Sequence, residues 1–507
     1  MRERLRNIEW KSARSVFIAL ALVVFVLGLG IRLLDLTDPP LDFHAWRQFR
    51  SATIARGMYY VMASDVDPDA RQIAENLGRQ FEKLEPPISE RIVALAYLAL
   101  GREILWIARF FAIIYWMIGG VALYALAVRI SSHVGAALSI GFYLLLPFGI
   151  IASRSFQPEP LMVMWILLAT YATFRWTETK IWRWAIAAGV AGGMAALVKV
   201  FGAFPVAAVA ILLVLHDFGF RKAIRSGQVW AVAGLMIAIP ASYYFVSTRS
   251  EATTYLSGWV FAFTDLLVSP AFYIRWSSTL KLLFTIPMVL IGAMGVLLLR
   301  GRGRLVVVGL WVGYFLISAA VPGLVITHHY YNLPLIPAIA LSLSPLGDVI
   351  VNGVRDQGRI WKAAFAGVLV VAIGIPLVEA RADLLAEDYR LEPIIWRRVG
   401  DSLPRDGSII GITHDYNTRL KYYGWIRMAQ WPHSADFEMG VLAGGNYDPT
   451  DPAIVDMFEE RIRGFDYFLV TLFPELETQP ILNDVLYRNY PYVEGDGYVL
   501  FDLREQQ

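Results

Sequence analysis

The chain contains no cysteine, which excludes disulfides, thiolate metal sites and cysteine nucleophiles. Charged residues are also scarce, at 17% of 507 residues, whereas hydrophobic residues make up 57%. A soluble protein of this length carries more charge, so the composition predicts a membrane protein with several spans. The formal net charge of +2 gives no basis for a nucleic-acid partner. No Gly-x-Gly-x-x-Gly or P-loop motif occurs, so nothing in the sequence supports a nucleotide site.

Long apolar runs divide the first three quarters of the chain. About eleven of them are candidate transmembrane helices, because about 20 apolar residues cross the ~30 Å hydrocarbon layer. They are residues 15–34, 104–128, 134–151, 160–176, 184–198, 201–215, 229–246, 282–299, 305–321, 333–346 and 361–378. The first run lacks a cleavage signature and is expected to be retained. The run at 88–100 is shorter and contains Glu90 and Arg91, which favours an interfacial or re-entrant segment.

The basic residues predict how these helices are oriented. They cluster in the first 14 residues and in alternate loops, most densely at Arg300, Arg302 and Arg304. Cytoplasmic loops carry an excess of Lys and Arg, so we expect a multi-pass protein of the cell (inner) membrane with a cytoplasmic N-terminus. The C-terminus is then extracytoplasmic. The opposite orientation would place these three arginines outside.

Two regions outside the spans are predicted to be structured. Residues 65–84 are polar with apolar residues at helical spacing, which fits a helix on the membrane surface and equally a solvated loop helix. From about residue 379 the composition becomes that of a soluble domain. Short apolar runs at 408–412, 467–470 and 498–501 predict strands. Residues 389–403, 452–462 and 480–488 predict helices.

The predicted fold is therefore mainly α, with an α/β region at its end. Residues 1–379 form a polytopic transmembrane helix bundle whose first outer loop covers residues 35–103. Residues 380–507 form a small C-terminal extracytoplasmic α/β domain of about 120 residues, because strands and helices alternate there.

The predicted orientation collects chemically active side chains on the outer face. They are Asp42, His44, Arg47 and Gln48 after the first span, Glu85, Arg109, Arg154, Glu159, Lys199 and the segment from His328 to Tyr331. Two carboxylates among several cations suit the transfer of a group away from a phosphate. One carboxylate can take the proton of an acceptor hydroxyl, and cations can stabilise the departing phosphate. A lipid tail on that phosphate would explain why the site faces the bilayer.

Each of these residues also has an ordinary structural explanation. Asp42 can end a helix, Glu159 can cap one, Glu85 can begin a Pro-Pro turn, and Lys199 can reach the headgroups. The histidines and tyrosines near His328 resemble an aromatic belt at the membrane surface. Composition and spacing alone leave both interpretations open.

In their order along the chain, these segments resemble the GT-C glycosyltransferases, in particular the protein O-mannosyltransferase and lipid A aminoarabinose transferase branch. The similarity covers about the first three quarters of the chain. It rests on an acid after the first span, a Glu-Pro-Pro turn, an Arg early in the second span, Arg-x-x-x-x-Glu-Pro-Leu-Met before the fourth, a Lys after the fifth and Tyr-x-Leu-Pro-x-x-Pro at the tenth. In this chain they are Asp42, Glu85, Arg109, Arg154 with Glu159, Lys199 and Tyr331.

The resemblance implies an inverting transferase that moves a sugar from a polyprenyl-phosphate donor to a lipid, glycan or protein acceptor on the outer face. It makes Asp42 and Glu159 the catalytic candidates. The candidates for binding the donor phosphate are Arg47, Arg109, Lys199, His328 and Tyr331. Glu85 and His44 are the candidate ligands of a divalent metal, the one cofactor implied. The C-terminal domain would help to choose the acceptor.

The chain departs from the family pattern in its first outer loop. Asp42 is followed by Phe43 and His44 rather than by a second acid, and Glu85 is followed directly by Pro86 rather than by Lys-Pro. The alternatives are a lipid or solute transporter or flippase, and a non-catalytic scaffold with an outer binding domain. A transporter typically shows paired repeats and midplane charges, and the sequence shows neither.

Overall fold

The structure, a computed structural model, describes residues 2–81, 85–246, 258, 263–445, 448 and 451–505. The chain forms two compact units. The first comprises Met1–Leu36, Lys83–Ile88 and Arg109–Ala386. The second comprises Thr37–Glu82, Ser89–Ala108 and Glu387–Gln507, so it groups most of the predicted first outer loop with the C-terminal region.

Helices dominate the described chain. Those up to residue 130 are α1 Arg2–Leu33, α2 Ala45–Met62, α3 Pro68–Arg79, α4 Ile88–Leu100 and α5 Trp106–Ile130. Next are α6 His133–Leu145, α7 Pro147–Ala152, α8 Glu159–Thr179, α9 Trp182–Val198, α10 Ala203–Phe218, α11 Phe220–Ala223 and α12 Gly227–Tyr244. The remaining membrane-region helices are α13 Pro270–Phe284, α14 Ile286–Leu298, α15 Gly301–Ala320, α16 Pro322–Thr327, α17 Leu335–Ser342, α18 Ser344–Arg355 and α19 Arg359–Leu384. The C-terminal region adds α20 Glu392–Ser402, α21 Thr418–Gly424, α22 Ser434–Leu442, α23 Ala453–Arg461, α24 Phe473–Glu477 and α25 Pro480–Asn489.

Several predicted spans are built from more than one helix. Within the described ranges, six helical segments are long and apolar enough to cross a membrane, or seven if the bent pair α13 and α14 counts as one. That pair is bent by 91° at Thr285, which has a φ of 62°. The predicted run at 134–151 is likewise divided, because Pro147 separates α6 from α7. The count of about eleven spans stays a prediction.

Glycines allow close helix packing in the first unit. A Cβ at Gly313 or Gly309 of α15 would meet the backbone of α10 at Pro205 or Val209. Small residues at such crossings let two helices approach closely in an apolar medium, where van der Waals packing drives association. α10 and α15 therefore pack at close range.

Arg32, in the last turn of α1, supports the break between α6 and α7. Its side chain is fully buried and donates to the carbonyls of Leu144 and Gly149 and to Ser153 Oγ, over 2.7 to 3.3 Å. A broken helix leaves carbonyls without intrahelical partners, and in an apolar interior they require other donors. Arg32 supplies such a donor to the Leu144 carbonyl, whereas the Gly149 carbonyl also accepts the Ser153 backbone N–H.

A five-stranded sheet lies in the second unit. Its strands are β1 Ile409–Ile412, β2 Met428–Gln430, β3 Tyr467–Val470, β4 Tyr492–Gly495 and β5 Tyr498–Asp502, in the order β2-β1-β3-β5-β4. β1 pairs in parallel with β2 and β3, whereas β5 is antiparallel to β3 and β4. β1, β3 and β5 lie where apolar runs predict strands. β2 and β4 give no such signal, since β2 has three residues and β4 is exposed throughout.

The sheet carries helices on both faces because its side chains alternate. Phe468 and Val470 of β3 pack in one core with Trp431 and Phe458. Leu469 packs in the other core, which includes residues of α20 and α21. β1 and β3 are thus buried from both sides, as in doubly wound α/β folds.

The predicted amphipathic helix corresponds to α3 in the second unit. α3 buries Ala74 and Leu77, and Gly57 of α2 lies against the backbone at Ala74 and Gly78. Its apolar side is therefore covered by α2. Residues 82–84 of the predicted stretch lie outside the described residues.

Candidate active site

A buried ion pair joins Lys199 and Glu159 in the first unit. Glu159 is the first residue of α8, and Lys199 follows the last residue of α9. Lys199 Nζ donates to Glu159 Oε1 over 2.5 Å, and the two side chains are 3% and 1% exposed. The start of a helix carries partial positive charge, which also favours the Glu159 carboxylate. Such a pair fixes both groups, because removing either leaves the other charge buried without compensation.

Three further side chains surround the Lys199 ammonium. Glu85 Oε1 lies 3.6 Å from Nζ. The ring centroids of Tyr331 and Tyr330 lie 4.0 and 5.0 Å from the same nitrogen. One ammonium is thus shared by two carboxylates and rests against aromatic faces, where cation–π attraction holds it.

One oxygen of Glu159 still needs a partner. Oε2 is buried and accepts no hydrogen bond from any residue that the structure describes. A buried acceptor in this state is unfavourable by about 1–3 kcal/mol, and native structures contain few of them. The oxygen is therefore suited to receive a hydroxyl or a cation from a ligand.

Three other predicted residues of this unit are His328, which lies near the two tyrosines, and Arg109 and Arg154, which are buried. The His328 ring lies 5.5 and 6.4 Å from those of Tyr330 and Tyr331. Arg109 is buried in α5, at 1% exposure. Arg154 donates to the carbonyls of Leu34 and Asp35, so it fastens the chain where α1 ends.

Asp42 lies in a compact turn of the second unit, immediately before α2. Buried Gln48 holds this turn, since its Nε2 donates to Phe43 O over 2.9 Å and Pro40 O over 3.2 Å and reaches Asp42 Oδ1 at 3.5 Å. His44 adopts a left-handed conformation, with φ 45°, which turns the chain into the helix. Arg47 is buried and lies over the Trp46 ring at 5.4 Å. The predicted first-loop residues therefore share one braced turn.

Two residues near this turn were missed by sequence reasoning. The Asp38 carboxylate accepts the backbone N–H of Tyr389 over 3.1 Å. Burial raises the pKa of Tyr389, and the charges of Glu387 and Asp42 raise it further. The Tyr389 phenol therefore lies within the field of the Asp42 carboxylate. Neither residue belongs to a recognisable motif, because their relation depends on segments far apart along the chain.

The donor set determines which metal could bind. Among the described residues, no three His, Asp or Glu side chains form a group suited to a metal ion. Glu85 and Glu159 both lie within 3.6 Å of Lys199 Nζ, while His44 belongs to the second unit. One or two carboxylates suit an ion such as Mg²⁺, which takes its other ligands from water and phosphate.

Part of the chain matches a known family. The family profile for dolichyl-phosphate-mannose-protein mannosyltransferase matches residues 85–245, a segment that includes Glu85, Glu159 and Lys199. None of the curated proteins matches the chain by sequence.

Solved structures match over nearly the whole chain. ArnT from Cupriavidus metallidurans in the apo state has a TM-score of 0.54 and 16% identity, covering 97% of this chain and 98% of that one. The same protein bound to undecaprenyl phosphate has a TM-score of 0.52 and 16% identity, and the match covers 96% of this chain and 97% of that one. The Archaeoglobus fulgidus oligosaccharyltransferase tethered with an acceptor peptide has a TM-score of 0.54 and 11% identity. The match covers 96% of this chain and 74% of that one. These likenesses show the fold, so the predicted GT-C architecture is confirmed.

Proposed function

We propose that this chain, which has the fold of the GT-C glycosyltransferases, is an integral membrane glycosyltransferase. It moves a sugar from a polyprenyl-phosphate donor to a lipid, glycan or protein acceptor on the extracytoplasmic face. The observation that carries this proposal is the buried Lys199 ammonium beside Glu159, Glu85 and Tyr331.

Lys199 is proposed to bind the donor phosphate. An ammonium has three N–H donors, and Glu159 accepts one of them in the structure. A phosphate oxygen can take another, and its charge would grow as the sugar leaves. Arg109, Arg47, His328 and Tyr331 remain the other predicted phosphate contacts.

The reaction is a displacement with inversion at the anomeric carbon. The acceptor oxygen forms the new bond to that carbon while the bond to the phosphate oxygen breaks, and the electron pair stays on the phosphate. The acceptor proton passes to a carboxylate acting as general base. The family resemblance gives that role to Asp42, and Glu159 Oε2 is suited to orient the hydroxyl.

A divalent cation is the cofactor that these residues would accept. Glu85 and Glu159 Oε2 would hold it, with the phosphate and water completing its shell. When bound, it would add positive charge beside the leaving phosphate. His44 is the other residue predicted as a metal ligand.

The finer topology belongs to the same proposal. We infer about eleven spans, a cytoplasmic N-terminus and an extracytoplasmic C-terminal region, because this arrangement keeps the basic loops inside. The transferred sugar is a hexose or a pentose.

Reconstitution tests the proposal directly. The purified full-length protein in liposomes is given radiolabelled polyprenyl-phosphate hexoses and pentoses together with host membrane extract as the acceptor source. A transferase releases polyprenyl phosphate and labels an acceptor, and Asp42→Asn should abolish both. A flippase would move the donor lipid between leaflets without cleaving it, and a scaffold would do neither.

A further inference from the structure

The carboxyl ends of β1, β2 and β3 meet at one edge of the sheet. The β1–β2 connection runs over one face and the β2–β3 connection over the other, so the strand order reverses between β1 and β3. In doubly wound sheets, ligands bind beyond the strand ends at this reversal. His414 follows β1 and Thr471 follows β3, and His414 Nδ1 lies 3.2 Å from Thr471 Oγ1.

The loop after β1 is strained. Asp415, Tyr416 and Asn417 have φ values of 50°, 53° and 63°, which place three consecutive non-glycine residues in the left-handed region. Each such residue is unfavourable by roughly 1–2 kcal/mol. Strain of this kind persists only where the surroundings enforce it, and it clusters at functional sites.

Arg419 enforces the loop conformation. Its Nε donates to Asp415 Oδ2 over 2.7 Å, and its Nη1 donates to Glu392 Oε2 over 2.7 Å. Thr418 Oγ1 adds a bond to the Asp415 carbonyl. The guanidinium is thus engaged by two carboxylates, so it does not give the loop a net positive charge.

The strained loop builds an aromatic surface. The Tyr416 ring stacks on the His433 ring with centroids 4.5 Å apart and planes at 22°. The Trp46 ring of α2 meets Tyr416 at 6.2 Å and 63°. Tyr416 and Trp46 are both partly exposed. Rigid aromatic faces with polar tips present large contact area at low entropic expense.

Polar groups beside these rings match hydroxyls. Gln430 Nε2 lies 2.7 Å from His433 Nε2, while Gln430 Oε1 is buried and has no partner in the part of the chain that the structure describes. Burial lowers the pKa of His414 and of His433. A neutral imidazole offers one donor and one acceptor, which suits a hydroxyl better than a phosphate.

We propose that the aromatic surface of Trp46 and Tyr416, with buried His433 stacked on Tyr416 and Gln430 bonded to His433, binds a neutral sugar ring of the acceptor. That this sugar belongs to the acceptor rests on the proposed function, whereas the sugar-binding chemistry rests on this surface alone. Trp46 lies four residues after Asp42, at the start of α2. A sugar held by Trp46 is therefore bound next to the turn that carries the predicted base.

A glycan-binding assay tests this inference. Full-length protein in nanodiscs is applied to an array of neutral and phosphorylated oligosaccharides, without any donor lipid. Neutral glycans should bind. Tyr416→Leu should weaken that binding about tenfold, as expected for loss of an aromatic contact, while Tyr416→Phe should stay within about threefold. Tyr492→Leu, on the exposed strand β4, is the matched control and should bind as wild type.

Specific outcomes overturn the inference. Neutral glycans that do not bind, a preference for phosphorylated glycans, or unchanged binding by Tyr416→Leu would each do so. Should Tyr416→Leu fail to fold, Gln430→Leu replaces it, because that change removes the amide without touching the strained loop. Since no donor is present, binding that follows Tyr416 supports the inference even if reconstituted sugar transfer fails, and such a failure would count against the proposed function alone.

Discussion

Replacing Lys199 by methionine is the perturbation that separates a phosphate-binding site from a structural ion pair. Methionine keeps most of the side-chain length and removes the charge. Glu159 would then be buried at 1% exposure with neither oxygen partnered in the described part of the chain, and Glu85 would lose its neighbouring cation. Breaking a buried pair from one side is unfavourable by about 3–5 kcal/mol, so Lys199→Met should unfold at a clearly lower temperature.

The double variant Lys199→Met/Glu159→Gln separates the effect on sugar transfer from the effect on thermal stability. It removes both charges, and exchanging a buried pair for neutral groups is often close to neutral in stability. We therefore expect the double variant to regain most of the lost thermal stability. Sugar transfer should not recover, because the ammonium that stabilises the leaving phosphate and the Glu159 carboxylate are both missing; loss of the ammonium alone should lower kcat about 10²–10³-fold.

Two assays on the same preparations measure these effects. Thermal unfolding in detergent gives the stability, and release of polyprenyl phosphate from a labelled donor gives the rate. Lys222→Met, an exposed lysine of α11, is the matched control and should change neither. If the double variant regained transfer together with stability, or if Lys199→Met were as stable and active as wild type, the reasoning would be refuted.

Three further predictions concern stability. Arg56→Met should destabilise the second unit by about 3–5 kcal/mol, because Arg56 is buried, binds Glu103 over 2.9 Å and lies 3.8 Å from the Tyr422 ring centroid. Denaturant unfolding measures this loss, and an unchanged unfolding midpoint would contradict it. Arg32→Met should lower the thermal midpoint more than Arg355→Met in α18, because buried Arg32 donates to the Leu144 carbonyl at the α6–α7 break, whereas Arg355 is exposed. Equal effects would argue against that role. Burial, together with the charge of Arg427, lowers the pKa of Lys421 from 10.5 to about 8. Between these pH values the folded state therefore binds fewer protons than the unfolded state, so the free energy of unfolding should rise from pH 8 to pH 10. Lys421→Met should lose this rise, and a wild type whose thermal midpoint is flat over that range would disprove it.

Order along the chain pointed to three residues that the structure brings together in the first unit. Glu85, Glu159 and Lys199 are far apart in sequence, yet each stands at a helix boundary where a charge is expensive to place without reason. Sequence could not show that one ammonium is shared by both acids, because that contact depends on how α8 and α9 pack. For the same reason, sequence could not show that Glu85, a predicted metal ligand, already has a cation beside it.

Roles created by breaks in helices escaped sequence reasoning. Arg32 resembles an interfacial anchor at the end of a span, and its partners are the carbonyls of Leu144 and Gly149, more than 100 residues away on either side of Pro147. The 91° bend between α13 and α14 was also missed, because Thr285 carries no glycine or proline signal itself. The spacing of apolar residues indicates which parts of the chain are buried. It does not indicate where a buried helix ends.

The C-terminal region shows the same limit for strands and loops. β1 and β3 are buried on both faces and produce continuous apolar runs, so they are visible in sequence. β4 is exposed at every position and leaves no such run. The left-handed run from Asp415 to Asn417 contains no glycine, and its conformation is imposed by Arg419 and Glu392, so local propensity could not indicate it.

The most direct test of the central claim is an experimental structure of the full-length protein with polyprenyl phosphate bound. The account predicts the phosphate within about 4 Å of Lys199 Nζ, at charge-assisted hydrogen-bonding distance or slightly beyond, with Glu159 still beside the same nitrogen. A phosphate held elsewhere, with the Lys199–Glu159 pair closed and untouched by the lipid, would contradict it.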